Sequence, residues 1–443
     1  MISHAHETHP TGQQRVLVPV GAGVVTADST QVLPWCDVDP TGPLVVSAPI
    51  HGRVFLPARP YDDLCIMAWL LSPRATQAEQ SLTNLAKLVG IVLPRHDHLD
   101  VGDDVVSIGR ALTSAGARVH EMLKRHLAHE GLWGVYETVE RPLALLLRRM
   151  EAAGLPVVPA TADLSGEKPE TQSQWAGWPT RLTTAATRRV HPTWDQTATV
   201  TGRVTARKPP LQSLPKGLRN TVVAPAGRLL IAADYSAADF RPAAAMSRDP
   251  ELLRLFEQGQ DPYSQIGAMA GPPARGRERQ VGKPTALPAL YGATPWSLQD
   301  KTQLPVRAVE QMIAAYKARF PTLWRWRSEQ IAHMRTGKAM HNPWGRLLLP
   351  ETEFEAINHL CQSAAADVVK TAMLRLEVTL PQNATIVAQI HDELLVECLE
   401  QDATTVVTIM REQMTKPIPQ LPVTLAVKIG VGKTWGEATR TQH

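Results

Sequence analysis

The chain has 443 residues, of which 44% are hydrophobic and 20% charged, and it carries a formal net charge of +4. That length holds two or three domains with real cores, and the balance belongs to a soluble globular protein rather than a fibrous or disordered one. The mild basicity permits an anionic partner such as nucleic acid without demanding it, and the lack of a long apolar run speaks against a membrane span.

Cys36, Cys65, Cys361 and Cys398 lie far apart with no CxxC pair. This argues against a zinc site or a disulfide framework and suits a reducing cytosol. The opening MISHAHETHP lacks the charged and apolar regions of a signal peptide, so a cytoplasmic protein is expected. His4, His6 and His9 read as part of a polar leader rather than as a metal site.

Residues 15–60 are rich in Val, Pro and Gly, with β-like runs at Arg15–Val20 and Leu44–Val46. The period then changes, and 61–93 and 103–130 read as amphipathic helices. A stronger helix is expected over 132–153, where Leu132, Val135, Val139, Leu143, Leu146 and Met150 recur at helical spacing and Gly154 and Pro156 stop it. Residues 156–180 have few aliphatics and many Pro, Ser, Thr and Glu, which marks a linker. From Arg188 the pattern is dense to the end, so the natural division falls near 155–185.

The chemistry-bearing segments lie in the second half. RLLIAAD at 228–234 reads as a buried strand delivering Asp234 at its end, with Ser236 placed to cap a helix beginning in AADFR. ATIVAQIHDELLVECL at 384–399 reads as a hairpin with His391, Asp392 and Glu393 at its tip. Such a turn usually carries a Gly or Asn, and none is present. Carboxylates brought from separate segments to strand ends can hold two magnesium ions, with substrate phosphates and water completing the coordination. Between these segments, Arg279 and Lys283 stand at i, i+4 on one helix face with Tyr291 two turns on. Two cations so spaced can grip a triphosphate, and the ring can stack on a base or sugar. Each segment alone fits an ordinary turn or basic helix; the combination points to two-metal phosphoryl transfer.

At this point the residues resemble family A DNA polymerases, the group of bacterial DNA polymerase I. DYSAADFR at 234–241 resembles the family's DYSQIELR, the Arg279, Lys283, Tyr291 spacing matches its second motif, and QIHDELLVE at 389–397 is close to a literal match of its third. TGRVTARKPPLQSLP at 201–215 is similar to TGRLSSxxPNLQNIP, and the run from Asn358 through Gln362 to Asp367 is similar to NxxxQGTAAD. The resemblance implies an α+β right hand, with an antiparallel palm sheet and helical fingers, that adds deoxynucleotides to a primer on template DNA. It implies that Asp234 and Asp392 hold two Mg2+ ions, with Mn2+ able to substitute, and that Glu393 and Lys283 assist catalysis. It further implies a nucleotide site of Arg279, Lys283, Leu287, Tyr291, Asp239 and Tyr235, and DNA contacts from Arg203, Gln212, Asn358, Gln362 and His391. Upstream, 61–91 is similar to the end of the family's proofreading exonuclease domain, and 132–157 to the helix entering the polymerase domain.

The chain departs from the family pattern at several points. The residue that usually excludes a 2′-hydroxyl is Asp239 in place of Glu, an aromatic position is Leu287, and Phe354 stands where an Arg is usual. Pro242 falls after motif A, and Pro284 and Pro288 fall in the fingers helix, which is therefore expected to start at Pro284 with Lys283 outside it. No long helical thumb fits between residues 155 and 190. The expected domains are a reduced, inactive 3′–5′ exonuclease-like domain over 1–130, a connecting helix and loose linker in place of a thumb over 131–187, and palm and fingers over 188–443. Low processivity follows, unless a partner protein supplies the clamp. Proofreading should be absent, since SIGRALTSAGARVHEM has no acid before Glu121, although Asp37, Asp39, Asp62 and Asp63 remain candidates for a site. A bacterial, phage or plasmid origin suits the sequence. Two other readings stay open: a polymerase using RNA template or ribonucleotides, and a catalytically degenerate DNA-binding or scaffold protein.

Overall fold

The structure is a computed structural model. It describes residues 61–441 except 76–78, 94–104, 159–167, 176 and 180–187, and before residue 61 the strand backbones 15–20, 23–25, 33–34 and 44–46. His4, His6, His9, Cys36, Asp37 and Asp39 lie outside the described residues. Two compact units are present, Met1–Leu145 and Leu146–His443. Among the described residues no helix is long and apolar enough to cross a membrane.

In the first unit the strands expected at Arg15–Val20 and Leu44–Val46 lie parallel in a mixed sheet of order 33–34, 23–25, 15–20, 44–46, 62–63. The helical stretches resolve into Leu64–Leu71, Leu82–Leu88 and Val105–His129. Asp62 is buried and accepts hydrogen bonds from the Tyr136 hydroxyl at 2.9 Å and from His120 Nε2 at 3.0 Å, with Arg141 Nε also 3.0 Å away. Asp63 caps Leu64–Leu71, accepting from the N–H groups of Cys65 and Ile66 at 2.8 and 3.3 Å. Both carboxylates thus serve the fold.

The helix expected over 132–153 runs from Trp133 to Ala153 with a π turn at Tyr136–Glu140, and Gly154, at φ +66°, ends it. The expectation of a loose linker beyond it needs correction. Leu155–Pro156 pairs with Arg189–Val190, Val157 bridges to Val222, and Trp178 Nε1 donates to Thr221 Oγ1 at 2.8 Å. The segment's few aliphatics hid two tryptophans, Trp175 and Trp178, which are buried edge to face and anchor it. Among the described residues between 154 and 188, the helix present is the six-residue Pro169–Gln174.

The centre of the second unit is an antiparallel sheet of order Thr385–Ile390, Glu393–Leu399, Arg228–Tyr235, Val427–Gly432. Its inner strand is apolar because it is covered on both faces: Leu230, Ile231, Ala232 and Ala233 are fully buried. After it, Ser236 does not cap a helix as expected. The chain makes a turn through Ala237, held at φ +58°, and the helix Phe240–Ser247 begins at the end of that turn. Pro242 therefore sits in the first helical turn, where its missing N–H has no intrahelical partner to lose.

The fingers helix also departs from expectation. It runs Glu278–Tyr291, with Pro284 and Pro288 inside it and Lys283 within it. Each proline removes one helical hydrogen bond, and packing on two sides compensates. Val281 and Ala289 join an apolar cluster with Leu298, Val309 and Met312, while Ala286, Leu290 and Tyr291 join another with Phe240, Tyr316 and Phe320. Its first half lies backbone to backbone against the helix Pro262–Ala268. A Cβ added at Gly282 would stand 1.8 Å from the Tyr263 carbonyl oxygen, and one at Gly267 1.8 Å from that of Glu278. No rotamer change relieves a clash with backbone, so Gly282→Ala should force the two helices apart. The expected cost is about 1–3 kcal/mol or more of unfolding free energy, read by denaturant unfolding. Wild-type stability in that variant would show that the crossing does not hold the helix.

Candidate active site

The site is assembled by strand register. Asp234 pairs across the sheet with Glu393, and Ile390 pairs with Glu393 from the other side, so His391 and Asp392 form the tip of the hairpin between them. His391 adopts φ +56°, supplying the left-handed residue that a Gly or Asn would normally provide. The Tyr235 N–H then donates to the Asp392 carbonyl at 3.2 Å, which ties the tip to the end of the central strand. Asp234 and Asp392 are thereby neighbours, as the sequence suggested.

Their titration reflects it. Burial pushes the Asp234 carboxyl up to about 7, the like charges of Asp392 and Glu393 add to the rise, and Lys283 and Arg219 partly offset it. Asp392 is also raised, first by burial and then by the charge of Asp239. Two acids that resist ionising together mark a place short of positive charge.

Glu393 is different. It accepts hydrogen bonds from Arg219 at 3.0 Å and from the Trp435 indole N–H, and the Arg219 guanidinium lies 4.3 Å from the Trp435 ring centroid. Arg219 and Trp435 are site residues that sequence reasoning missed. One lies in the short 3-10 helix Lys216–Thr221, 174 residues from its partner, and the other opens the C-terminal helix Trp435–Arg440. No local pattern signals either.

On the fingers, Lys283 is exposed and its charge reaches Asp234, while Arg279 is exposed with Asp261 at 3.2 Å. A groove of about 850 Å3 is lined there by Ser264, Arg277, Glu278, Arg279, Gln280 and Lys283. Leu287 is half-buried against the cluster containing Tyr291, and Tyr291 packs edge-on to Phe354 at 5.8 Å. Asp239 pairs with Arg203, one guanidinium nitrogen lying 2.7 and 2.9 Å from its two oxygens. Asn358 is buried and Gln362 half-buried on the long helix Glu353–Thr379, and His391 is exposed at the hairpin tip.

Two expected site residues are placed otherwise. The Tyr235 ring is buried on the opposite face of the sheet from Asp234, its hydroxyl donating to the Met414 carbonyl at 2.8 Å, so its backbone alone reaches the site. Side-chain alternation along a strand requires this once Asp234 faces the groove. Gln212 accepts from the Ala206 N–H at 2.9 Å and so braces the segment carrying Arg203 instead of facing solvent.

Residues 171–437 match the family model for DNA polymerase family A. The chain belongs to DNA polymerase family A. It is 33% identical to the thermostable DNA polymerase I of Thermus filiformis over 281 residues, covering 58% of this chain and 34% of that protein. To DNA polymerase I of Rhizobium leguminosarum it is 26% identical over 504 residues, covering 87% of this chain and 50% of that protein. The chain thus spans between a third and a half of the length of these curated relatives. The second alignment is longer than the chain itself, so that relative carries residues with no counterpart here. The polymerase domain of Pol1 from M. smegmatis, solved with DNA primer-template and dNTP, shares the fold at a TM-score of 0.76 and 22% identity, covering 94% of this chain and 93% of that one.

Within this family A chain, the Glu393 anchor is testable apart from chemistry. Trp435→Phe keeps the ring under Arg219 but leaves a buried carboxylate oxygen without its donor. The expected loss is about 1–3 kcal/mol of stability, smaller in Trp435→Phe combined with Glu393→Gln than the two single effects summed. Strict additivity in that cycle, measured by denaturant unfolding, would show the two side chains to be uncoupled.

Proposed function

We propose that this chain is a template-directed DNA polymerase that adds deoxynucleotides to a primer 3′ end with two divalent metal ions. The observation that carries the reading is the pair Asp234 and Asp392, under-compensated in charge at the palm, facing a fingers helix that presents Arg279 and Lys283. Family membership and the primer-template complex of the structural neighbour support it.

Magnesium fits these two carboxylates, because it needs only one or two with phosphates and water around it, and manganese accepts the same oxygen donors. Among the described residues no cluster of three or more potential metal-binding side chains is present; with Glu393 held by Arg219 and Trp435, the ligands proposed are Asp234 and Asp392. Bound there, the ions would neutralise charge at the reacting phosphate and favour the ionised 3′ hydroxyl. The chain's own groups would do the rest. Arg279 and Lys283 hold the triphosphate, Glu393 keeps the hairpin tip rigid through its anchor, and Arg203, Asn358, Gln362 and His391 face the primer-template. A DNA-binding protein without catalysis would have no use for two neighbouring half-buried acids with raised carboxyls, which weighs against the scaffold reading. The bacterial cytoplasm, or that of a phage- or plasmid-bearing cell, is the proposed setting.

Asp234→Ala or Asp392→Ala should abolish primer extension while the fold and primer-template affinity persist, since a missing metal ligand removes transition-state stabilisation and leaves the DNA-binding surface intact. Wild-type extension rates in either variant would end the two-metal assignment.

Among the described residues of 155–190 the helix present is six residues long, too short to wrap product duplex, and a protein that neutralises fewer phosphates has a weaker, salt-dependent grip. Products of few additions are therefore expected in single-encounter extension on a long template at moderate salt; products of hundreds of nucleotides without a partner protein would refute this. The same assay on a mismatched 3′ end should show no excision, because Asp62 and Asp63 are engaged in the fold. Trimming that survives Asp392→Ala would reveal a separate exonuclease site.

A further inference from the structure

Large aromatic rings seldom stay in water, because each one left exposed forgoes the gain of burial. Among the described residues, the Phe, Tyr and Trp side chains more than half exposed are Trp296, at 72%, and Phe354, at 53%. Both stand at the C-terminal end of the fingers helix. Phe354 meets Tyr291, the last residue of that helix, edge-on at 5.8 Å. Trp296 is the second residue of the helix Pro295–Thr302, which follows the Gly292 cap and whose Leu298 packs in one cluster with Ala289 of the fingers helix. A cation completes the group. Arg327 is half-exposed, its Nε donates to the Leu290 carbonyl at 2.6 Å, and a Cβ at Gly292 would lie 3.3 Å from its guanidinium. Phe354, Asn358 and Gln362 are spaced i, i+4, i+8 and so share one face of the helix Glu353–Thr379. The face assigned above to primer-template therefore runs directly into the Phe354 ring.

We propose that these rings form a stacking platform for the unpaired template strand ahead of the nascent pair, its bases lying on Phe354 and Trp296 with the Arg327 guanidinium beside its phosphates. The inference rests on the polymerase reading, under which the nascent pair lies beside Tyr291. The template base next in line is still unpaired, so its faces are open, and an aromatic ring accepts any base, as template reading requires. Phe354 stands where an arginine is usual, so charge there is exchanged for stacking surface. The guanidinium and the continuity with Asn358 and Gln362 favour a nucleic acid over an apolar protein segment.

Stacking and phosphate contact leave different signatures. The experiment measures binding of the full chain, by fluorescence anisotropy, to one duplex bearing no template overhang, a short single-stranded overhang, or the same overhang without its bases. The overhang with bases should tighten binding about five- to a hundredfold, the range for one stacked base, and the abasic one should not. The gain should also persist as salt is raised, unlike a grip on phosphates. In Trp296→Ala, and in Phe354→Leu, which keeps apolar bulk against Tyr291, the gain should shrink by about fivefold or more, while affinity for the blunt duplex holds. Both rings are exposed, so neither change empties the core. An abasic overhang that binds as tightly, or variants that lose affinity for blunt and overhanging duplexes equally, would overturn the platform. Variants that keep the full gain would overturn it too and leave the rings to a protein partner. Matched dNTP addition is followed on the same overhanging substrate. A wild-type chain that extends the primer without a base-dependent gain overturns this inference alone; one that shows the gain without extension overturns the polymerase reading while the stacking surface stands.

Discussion

The register of the strand Arg228–Tyr235 is the constraint on which the rest of the second unit depends. Side chains alternate along a strand, so a slip of one residue would bury Asp234 and present Tyr235 to the groove. The Tyr235 hydroxyl, bonded to the Met414 carbonyl under the helix Ala403–Thr415, makes that slip costly, since it would unseat a buried aromatic and break its hydrogen bond. The same residue's N–H holds the Asp392 carbonyl. One tyrosine, with its ring in the core and its backbone at the site, therefore sets both where the first carboxylate points and where the second stands.

Assembling the acids this way costs stability, and the structure offsets the cost locally. Arg219 lies near Asp234 and bonds Glu393, so a single half-buried cation answers two of the three carboxylates clustered there. A second buried network holds the other flank. Arg346 pairs with Asp367 at 2.5 and 3.1 Å, and its guanidinium lies so close to Gly202 that a Cβ there would approach it to 3.1 Å. Gly202, at φ +79°, precedes Arg203 directly, so a fully buried ion pair sets the path of the chain into the residue that grips Asp239. Polar groups this deep need every partner they have, and the close fit at Gly202 follows from that.

The parts of this arrangement legible in the sequence were those coded by short-range pattern. An apolar run ending in Asp234 and two apolar runs flanking His391 and Asp392 are enough to define a strand and a hairpin tip, and the sheet contains both. What stayed hidden depended on distant residues. Proline at 284 argues locally for a helix start, but it cannot reveal that Gly267 and Gly282 meet backbone to backbone and carry the helix through it. Ser236 looked like a cap because nothing nearby announces the left-handed Ala237. The motif made Tyr235 and Gln212 look like site residues, whereas their hydrogen bonds to Met414 and Ala206 place them in support of the site. The anchors of Glu393 come from 174 and 42 residues away, beyond the reach of any periodicity argument.

Three of the departures from the family's usual residues lie together. Asp239, Leu287 and Phe354 surround Tyr291: Asp239 is among its electrostatic neighbours, Leu287 packs against its cluster, and Phe354 meets its ring edge-on. The facing wall keeps Asp234, Asp392, Lys283 and Arg279. A chain drifting away from catalysis gains most by losing the groups that are costly to keep, and here those are the two acids, whose carboxyls are raised first by desolvation and then by a like charge, that of Asp392 on Asp234 and that of Asp239 on Asp392. Replacing either by a neutral side chain would relieve the fold. Both are present here, which fits a working acid pair better than a degenerate one.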